Sequence, residues 1–200
     1  MNFFVQLDLS TLPEQSKVPA RQGLLQLYYC STNDGSCETW EPFSGTHYIR
    51  VTSSGPRLLN PPHGIDPLAK VSVGDWQQFQ DAPHPEDHAS LGLSINYDFK
   101  NNVADVVSTE PRVEATRVSL ELNPAETISN SEPGDKLGGW PYWVQGSEYP
   151  RCPDCGQQMD LLLQIDSNDN LDYMFGDVGC AHLTYCPRHP SVFAFGWACS

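Results

Sequence analysis

Residues Tyr149 to Met159 read YPRCPDCGQQM, and Thr184 to Pro190 read TYCPRHP. Two thiols separated by two residues let one backbone turn aim both sulfurs at a single ion. Pro153 stiffens the entry to that turn, and Gly156 gives its exit the freedom it needs. Cys186-Pro187-Arg188-His189 repeats the spacing with an imidazole in fourth place. The thirty residues between Cys155 and Cys186 leave room for two strands that bring the halves together. The spacing therefore predicts a Cys₃His zinc site made of Cys152, Cys155, Cys186 and His189. Four protein ligands close a tetrahedral zinc and leave no position for water or substrate, so the predicted role is structural.

Outward from these knuckles the chain reads mostly as strands. FFVQLDL (Phe3 to Leu9), GLLQLYY (Gly23 to Tyr29), THYIRV (Thr46 to Val51), RVSLEL (Arg117 to Leu122), LLLQI (Leu161 to Ile165), AHLTY (Ala181 to Tyr185) and VFAFGW (Val192 to Trp197) are rich in alternating, β-branched or aromatic residues. Two helices are expected where a proline suits the first helical position, in PEDHASLGL from Pro85 and PAETIS from Pro124. Pro- and Gly-rich stretches at Ser53 to Pro67 and Ser129 to Pro141 read as loops, the second dividing residues 1–128 from 129–200. The halves echo one another: Gln6 in VQLD matches Gln164 in LQID at an offset of 158, and GLLQLYYC matches GCAHLTYC at an offset of 156. The expected fold is α+β, β-rich and mainly antiparallel, with two similar modules from an internal duplication. The C-terminal module would carry the zinc knuckle pair.

The 200 residues carry 11 Lys plus Arg against 25 Asp plus Glu, a formal charge of −14. Such a surface repels nucleic acid and anionic membranes and favours a basic partner. The start MNFFVQLDLS lacks the pattern of a signal peptide, and no run reaches the eighteen apolar residues of a span, so a cytoplasmic location is expected. The seven cysteines then point to metal chemistry more than to a disulfide framework. Cys30 and Cys37 read as small buried thiols, while Cys180, His182 and Cys199 lie close enough in sequence to substitute as ligands. LGGWPYW offers Trp140 and Trp143 either as core or as a peptide-contacting surface.

An enzymatic alternative rests on His84, Glu86 and His88. Zinc deaminases carry His-x-Glu and a later Pro-Cys-x-x-Cys, and His84-Pro85-Glu86 precedes Cys152-Pro153-Asp154-Cys155 here. Arg151 interrupts the Pro-Cys pair, however, and that reading leaves Cys186 and His189 without a role. With Asp81 and Asp87 nearby, the cluster could also hold a catalytic metal for a hydrolase, although it departs from His-Glu-x-x-His.

The run Lys136-Leu137-Gly138-Gly139-Trp140-Pro141, with Trp143 and Gln145, then Cys152, Cys155, Met159, Leu163-Gln164, Phe175-Gly176-Asp177, Gly179 and Cys186, resembles the YwqG-like family of bacterial proteins of unknown function. QLDLSTLP and GLLQLYY fit that family's earlier half. The same pattern is similar to eukaryotic ribosomal-protein chaperones of the programmed-cell-death-two type. The resemblance implies a duplicated β-rich domain that shelters or binds another polypeptide, and it carries no catalytic residues. Family members usually have a further Gly- and Pro-rich segment before the first Gln-x-Asp strand, so the N-terminal module is expected to be trimmed. The function expected is a non-enzymatic, zinc-stabilised protein-binding module, chaperone-like or immunity-like, for a basic polypeptide.

Overall fold

Period-two alternation sends Leu7, Leu25, Leu27 and Tyr29 to one side of the first strands and polar residues to the other. The computed structural model, which describes residues 1–14, 16, 18, 20–31, 36–53, 71–79, 81–109, 116–119, 131–167 and 169–200, resolves this pattern into three antiparallel sheets. The first is a meander of β1 (Asn2–Asp8), β2 (Leu24–Tyr29) and β3 (His47–Thr52). The second orders β4 (Leu93–Asp98), β5 (Val103–Ser108) and β6 (Thr116–Ser119). In the third, β7 (Lys136–Leu137), β8 (Asp160–Asp166), β9 (Cys180–Tyr185) and β10 (Phe193–Ala198) lie in the order β10-β9-β8-β7.

The first and third sheets contain the same meander. β1 pairs β2 from Asn2↔Tyr29 to Asp8↔Leu24 with a register slip between Phe3 and Val5. β8 pairs β9 from Asp160↔Tyr185 to Asp166↔Cys180 with a slip between Leu161 and Leu163. Those are equivalent positions at the offsets read from the sequence. The closing hydrogen bonds also correspond: Leu9 N–H to Gly23 O at 3.0 Å against Ser167 N–H to Gly179 O at 3.1 Å. Likewise Cys30 N–H reaches Thr46 O at 2.9 Å and Cys186 N–H reaches Val192 O at 3.0 Å.

The inner faces of the two meanders form one core. Leu7, Leu25, Leu27 and Tyr29 meet their counterparts Ile165, Ala181, Leu183 and Tyr185, with Phe175 and Phe195 filling the space between. Removing one such leucine side chain would cost about 2–5 kcal/mol. Trp197 Nε1–H donates to the Tyr29 hydroxyl at 2.9 Å and pins the sheets together. The second sheet joins through a smaller core of Leu91, Leu93, Val106 and Trp140.

The expected helix from Pro85 is corrected to a single 3₁₀ turn, Pro85–Asp87. Leu93, placed at that helix's end, begins β4 instead, and Gly92 at φ +62° turns the chain between them. So short a segment cannot repay helix nucleation when alternating apolar residues follow it. Among the described residues no α-helix occurs, so the α part of the expected α+β class is not seen there. PAETIS and Ser54 to Pro67 lie outside the described residues, as does Leu120 to Leu122 of the strand expected from Arg117. Among the described residues no helix is long and apolar enough to cross a membrane.

Candidate metal centre

Pro150 to Met159 form a tight knuckle directly before β8. Cys152 N–H donates to Gln157 O at 2.8 Å and Gly156 N–H to Cys152 O at 2.7 Å. Gly156 sits at φ +70°, a conformation that costs glycine little and other residues more. Arg151 and Gln158 bridge across the base. The second knuckle closes β9 onto β10: Cys186 N–H bonds Val192 O, and Val192 N–H bonds His189 O at 2.8 Å. Because β8 and β9 are paired neighbours, their ends deliver both knuckles to one point.

There the four predicted ligands meet. Cys152 Sγ lies 3.5 Å from His189 Nδ1, Cys155 Sγ 3.7 Å from Cys186 Sγ, and Cys186 Sγ 3.8 Å from His189 Nδ1. All four donor atoms lie within 4.8 Å of one another. Metal–sulfur bonds of about 2.3 Å and metal–nitrogen bonds of about 2.0 Å set tetrahedral donor separations at about 3.5–3.8 Å, so the arrangement fits a four-coordinate ion. Cys152 and Cys186 are buried, with Met159, Val192 and Ala194 packed around them, while Cys155 and His189 are partly exposed. Desolvation opposes ionisation of Cys186. The N–H groups of His189 and Arg188, with the Cys152 and Cys155 thiols hydrogen-bonded to its sulfur, together outweigh that, and its thiol is held below the usual range. His189 N–H reaches that sulfur at 3.4 Å.

Cys180 and His182 do not join the cluster. Cys180 lies on β9 on the same face as His182, its sulfur 3.7 Å from His182 Nε2, and burial pushes its thiol pKa up. His182 Nε2–H donates to Tyr142 O at 3.0 Å, and burial drives its pKa down to about 3, so the ring is neutral. Cys199 caps the end of β10, where its carbonyl accepts from the Gln145 side chain. Cys30 and Cys37 are only half-buried, with sulfurs 3.6 Å apart. Cys30 holds the position equivalent to Cys186.

Asp81, His84, Glu86, Asp87 and His88 are not gathered into a metal-ligand set among the described residues. The acids clasp the segment that covers the outer face of β8 and β9. Asp81 accepts from Glu132 N–H at 2.9 Å, Trp140 N–H at 2.7 Å and the Lys136 ammonium at 3.0 Å. Burial draws the pKa of Lys136 down, and the Asp81 carboxylate opposes that shift. Gly139, at φ +73°, is required there because a Cβ would strike the Asp81 carboxylate. Asp87 is buried and accepts from the hydroxyls of Ser147 and Tyr149, and Glu86 accepts from Ser147 N–H. His84 caps the 3₁₀ turn, its Nδ1 accepting from Glu86 N–H at 3.3 Å, while His88 Nε2–H donates to Pro83 O at 3.3 Å. Nothing local in the sequence marked the contacts of the acids, which span 51 to 62 residues.

The two candidate tryptophans are both buried, in different surroundings. Trp140 lies in the small core under β4 and β5, whereas Trp143 packs on Tyr149 and His182 beside an open cleft.

Over 34 residues the chain is 50% identical to the uncharacterized protein YpfL of Salmonella typhimurium. The match spans 17% of this chain and only 8% of that protein's length. Residues 1–187 match the family model described as a domain of unknown function, DUF1963, and with nearly its whole length matched the chain belongs to that family.

Proposed function

We propose that this protein is a non-enzymatic binding module whose C-terminal part is stapled by structural zinc and whose acidic surface engages a basic polypeptide. The closed set of Cys152, Cys155, Cys186 and His189 carries the reading, because three thiolates and an imidazole suit zinc and leave it no open position. When bound, zinc would supply folding free energy and no chemistry on a substrate. The charge of −14 favours a basic partner, and the likeness to the programmed-cell-death-two type of chaperone favours a polypeptide. The shared register of β1–β3 and β8–β10 supports an internal duplication; the proposed modules are residues 1–128 and 129–200, and the proposed location is cytoplasmic.

The test is elemental analysis of the purified chain, followed by affinity capture from its native cells at physiological salt. One equivalent of zinc and a stoichiometric basic partner are expected. Absence of bound zinc overturns the staple, and absence of any partner above background overturns the binding role. The alternative use of His84, Glu86 and His88 in hydrolysis or deamination predicts an activity lost in His84→Ala with the fold intact. The clasp contact of Glu86 and the local hydrogen bonds of His84 and His88 do not favour it.

A further inference from the structure

A cleft of about 380 Å³ opens across the seam of the two meanders, between the Trp40–Phe43 turn and the outer side of β9 and β10. Its wall is aromatic, made by Trp40, Phe43, Trp143, Tyr149 and Trp197. Water would ordinarily drive such rings inside, yet Trp40 and Phe43 each remain 44% exposed at the mouth. Trp40 is held there. Trp197 N–H donates to Trp40 O at 3.2 Å, and the two indoles meet edge to face at 6.3 Å. Phe43 adopts φ +64°, a conformation unfavourable for a bulky side chain, so local preference does not explain its presentation.

The charges around these rings have one dominant sign. Glu41 and Glu148 line the cleft, are exposed, and have no ion-pair partner among the described residues. Among the described residues the one cation in the lining, Arg151, donates its guanidinium to Gly156 O at 3.2 Å, on the knuckle. His182, also in the lining, is neutral because burial drives its pKa down to about 3. Aromatic faces attract cations through the ring quadrupole, and unpaired carboxylates at the same mouth add to that attraction.

We propose that this cleft is the contact site for the partner polypeptide and takes one of its lysine or arginine side chains, the cation lying against Trp40 and Trp197 between Glu41 and Glu148. The inference rests on the reading of a basic polypeptide partner and adds to it a place and a chemistry. It also gives a function to the seam, since the Trp40–Phe43 turn belongs to one meander and Trp143, Glu148 and Trp197 to the other half of the chain.

The test is calorimetric titration of the full zinc-loaded chain with tetralysine, with a glycine–serine tetrapeptide, and with n-butylammonium. Saturable binding of tetralysine is expected, with no binding of the neutral peptide and far weaker binding of the amine. Trp40→Ala should weaken tetralysine about tenfold, as removal of one cation–aromatic contact would. Glu41→Gln with Glu148→Gln should do likewise, whereas the same charge change at exposed Asp172 and Asp177 should have little effect. Equal weakening by both pairs would mean attraction by overall charge and would overturn the cleft. Equal affinity for n-butylammonium would point to a free small amine and overturn the polypeptide occupant. If a captured basic partner binds the Trp40→Ala chain as tightly as wild type, the cleft inference fails while the partner reading stands. If no basic partner is captured, the partner reading fails, whatever tetralysine does.

Discussion

The first and last meanders of this protein share strand order, register, bulge position and closing hydrogen bonds, yet equivalent residues lead different lives. Gln6 on β1 is exposed, accepting from Gln26 at 2.8 Å in a solvated network that Arg50 extends over the Tyr28 ring. Its counterpart Gln164 on β8 is fully buried beneath residues 131–149. There it accepts from Tyr142 N–H at 2.8 Å and donates to Gly134 O at 2.8 Å and Glu132 O at 3.3 Å. Cys30 and Cys186 diverge in the same way, the first beside one other thiol and the second inside a four-donor cluster. The backbone pattern is held in common, and what is laid over it decides whether a position becomes a surface residue, a strut or a ligand.

The sharpest way to break the comparison is at the thiols. Structural zinc in small modules is worth about 10–16 kcal/mol of apparent folding free energy. On the structural-zinc proposal, chelation or Cys155→Ser should therefore abolish cooperative melting of β8–β10. Because both meanders share one core, calorimetry should show the transition of the whole chain fall or broaden. Cys30→Ser, at the equivalent of Cys186, should shift stability by about 1 kcal/mol or less, as for a half-buried thiol. Metal-free protein with an unchanged melting temperature would sink this assignment.

A smaller contrast separates the two glutamines. Gln164→Leu leaves the Tyr142 N–H and the Gly134 and Glu132 carbonyls without their partner under a buried segment. Water can replace Gln164 at the carbonyl of exposed Glu132, so the other two groups, at about 1–3 kcal/mol each, put the expected loss at about 2–6 kcal/mol. Gln6→Leu should stay within about 0.5 kcal/mol. Urea denaturation of the two variants checks this, and equal losses would show that the covering segment does not hold Gln164 as described.

These contrasts also show what could be read from the chain. FFVQLDL, GLLQLYY and LLLQI announce strands because alternation or β-branched apolar runs leave a local trace, and the observed ends agree to within a residue or two. The gathering of Cys152, Cys155, Cys186 and His189 was legible because a Cys-x-x-Cys turn and a Cys-Pro-x-His turn encode geometry in spacing alone. LSINYD and VADVVS were missed as β4 and β5, hidden behind a helix inferred from Pro85, although Asn101-Asn102 and alternation mark a hairpin. The clasping acids and the aromatic cleft could not be read at all. Their partners lie fifty to over a hundred residues apart, and a single sequence carries no signal for such pairings.

The weakest contrast is one of pH, and it turns on a pair in register: Gln26 on β2 corresponds to His182 on β9. Gln26 does not titrate, whereas the buried ring of His182 has its pKa driven from 6.5 down to about 3, chiefly by desolvation. In the unfolded chain the ring takes up a proton below about pH 6.5, while in the fold it refuses one until about pH 3. The unfolded state thus binds more protons through that window, and stability falls as the pH is lowered across it. The full slope is about 1.4 kcal/mol per pH unit, so roughly 2 kcal/mol is lost by pH 5. Acid also weakens thiolate ligation, which adds its own slope. The difference between wild type and His182→Gln isolates the ring: the variant, with an amide in place of the imidazole, should lose stability less steeply between pH 6.5 and 5. Parallel curves would mean that His182 is protonated in the fold as readily as in the unfolded chain, and that the cover over β9 admits water where the cover over β2 is simply absent.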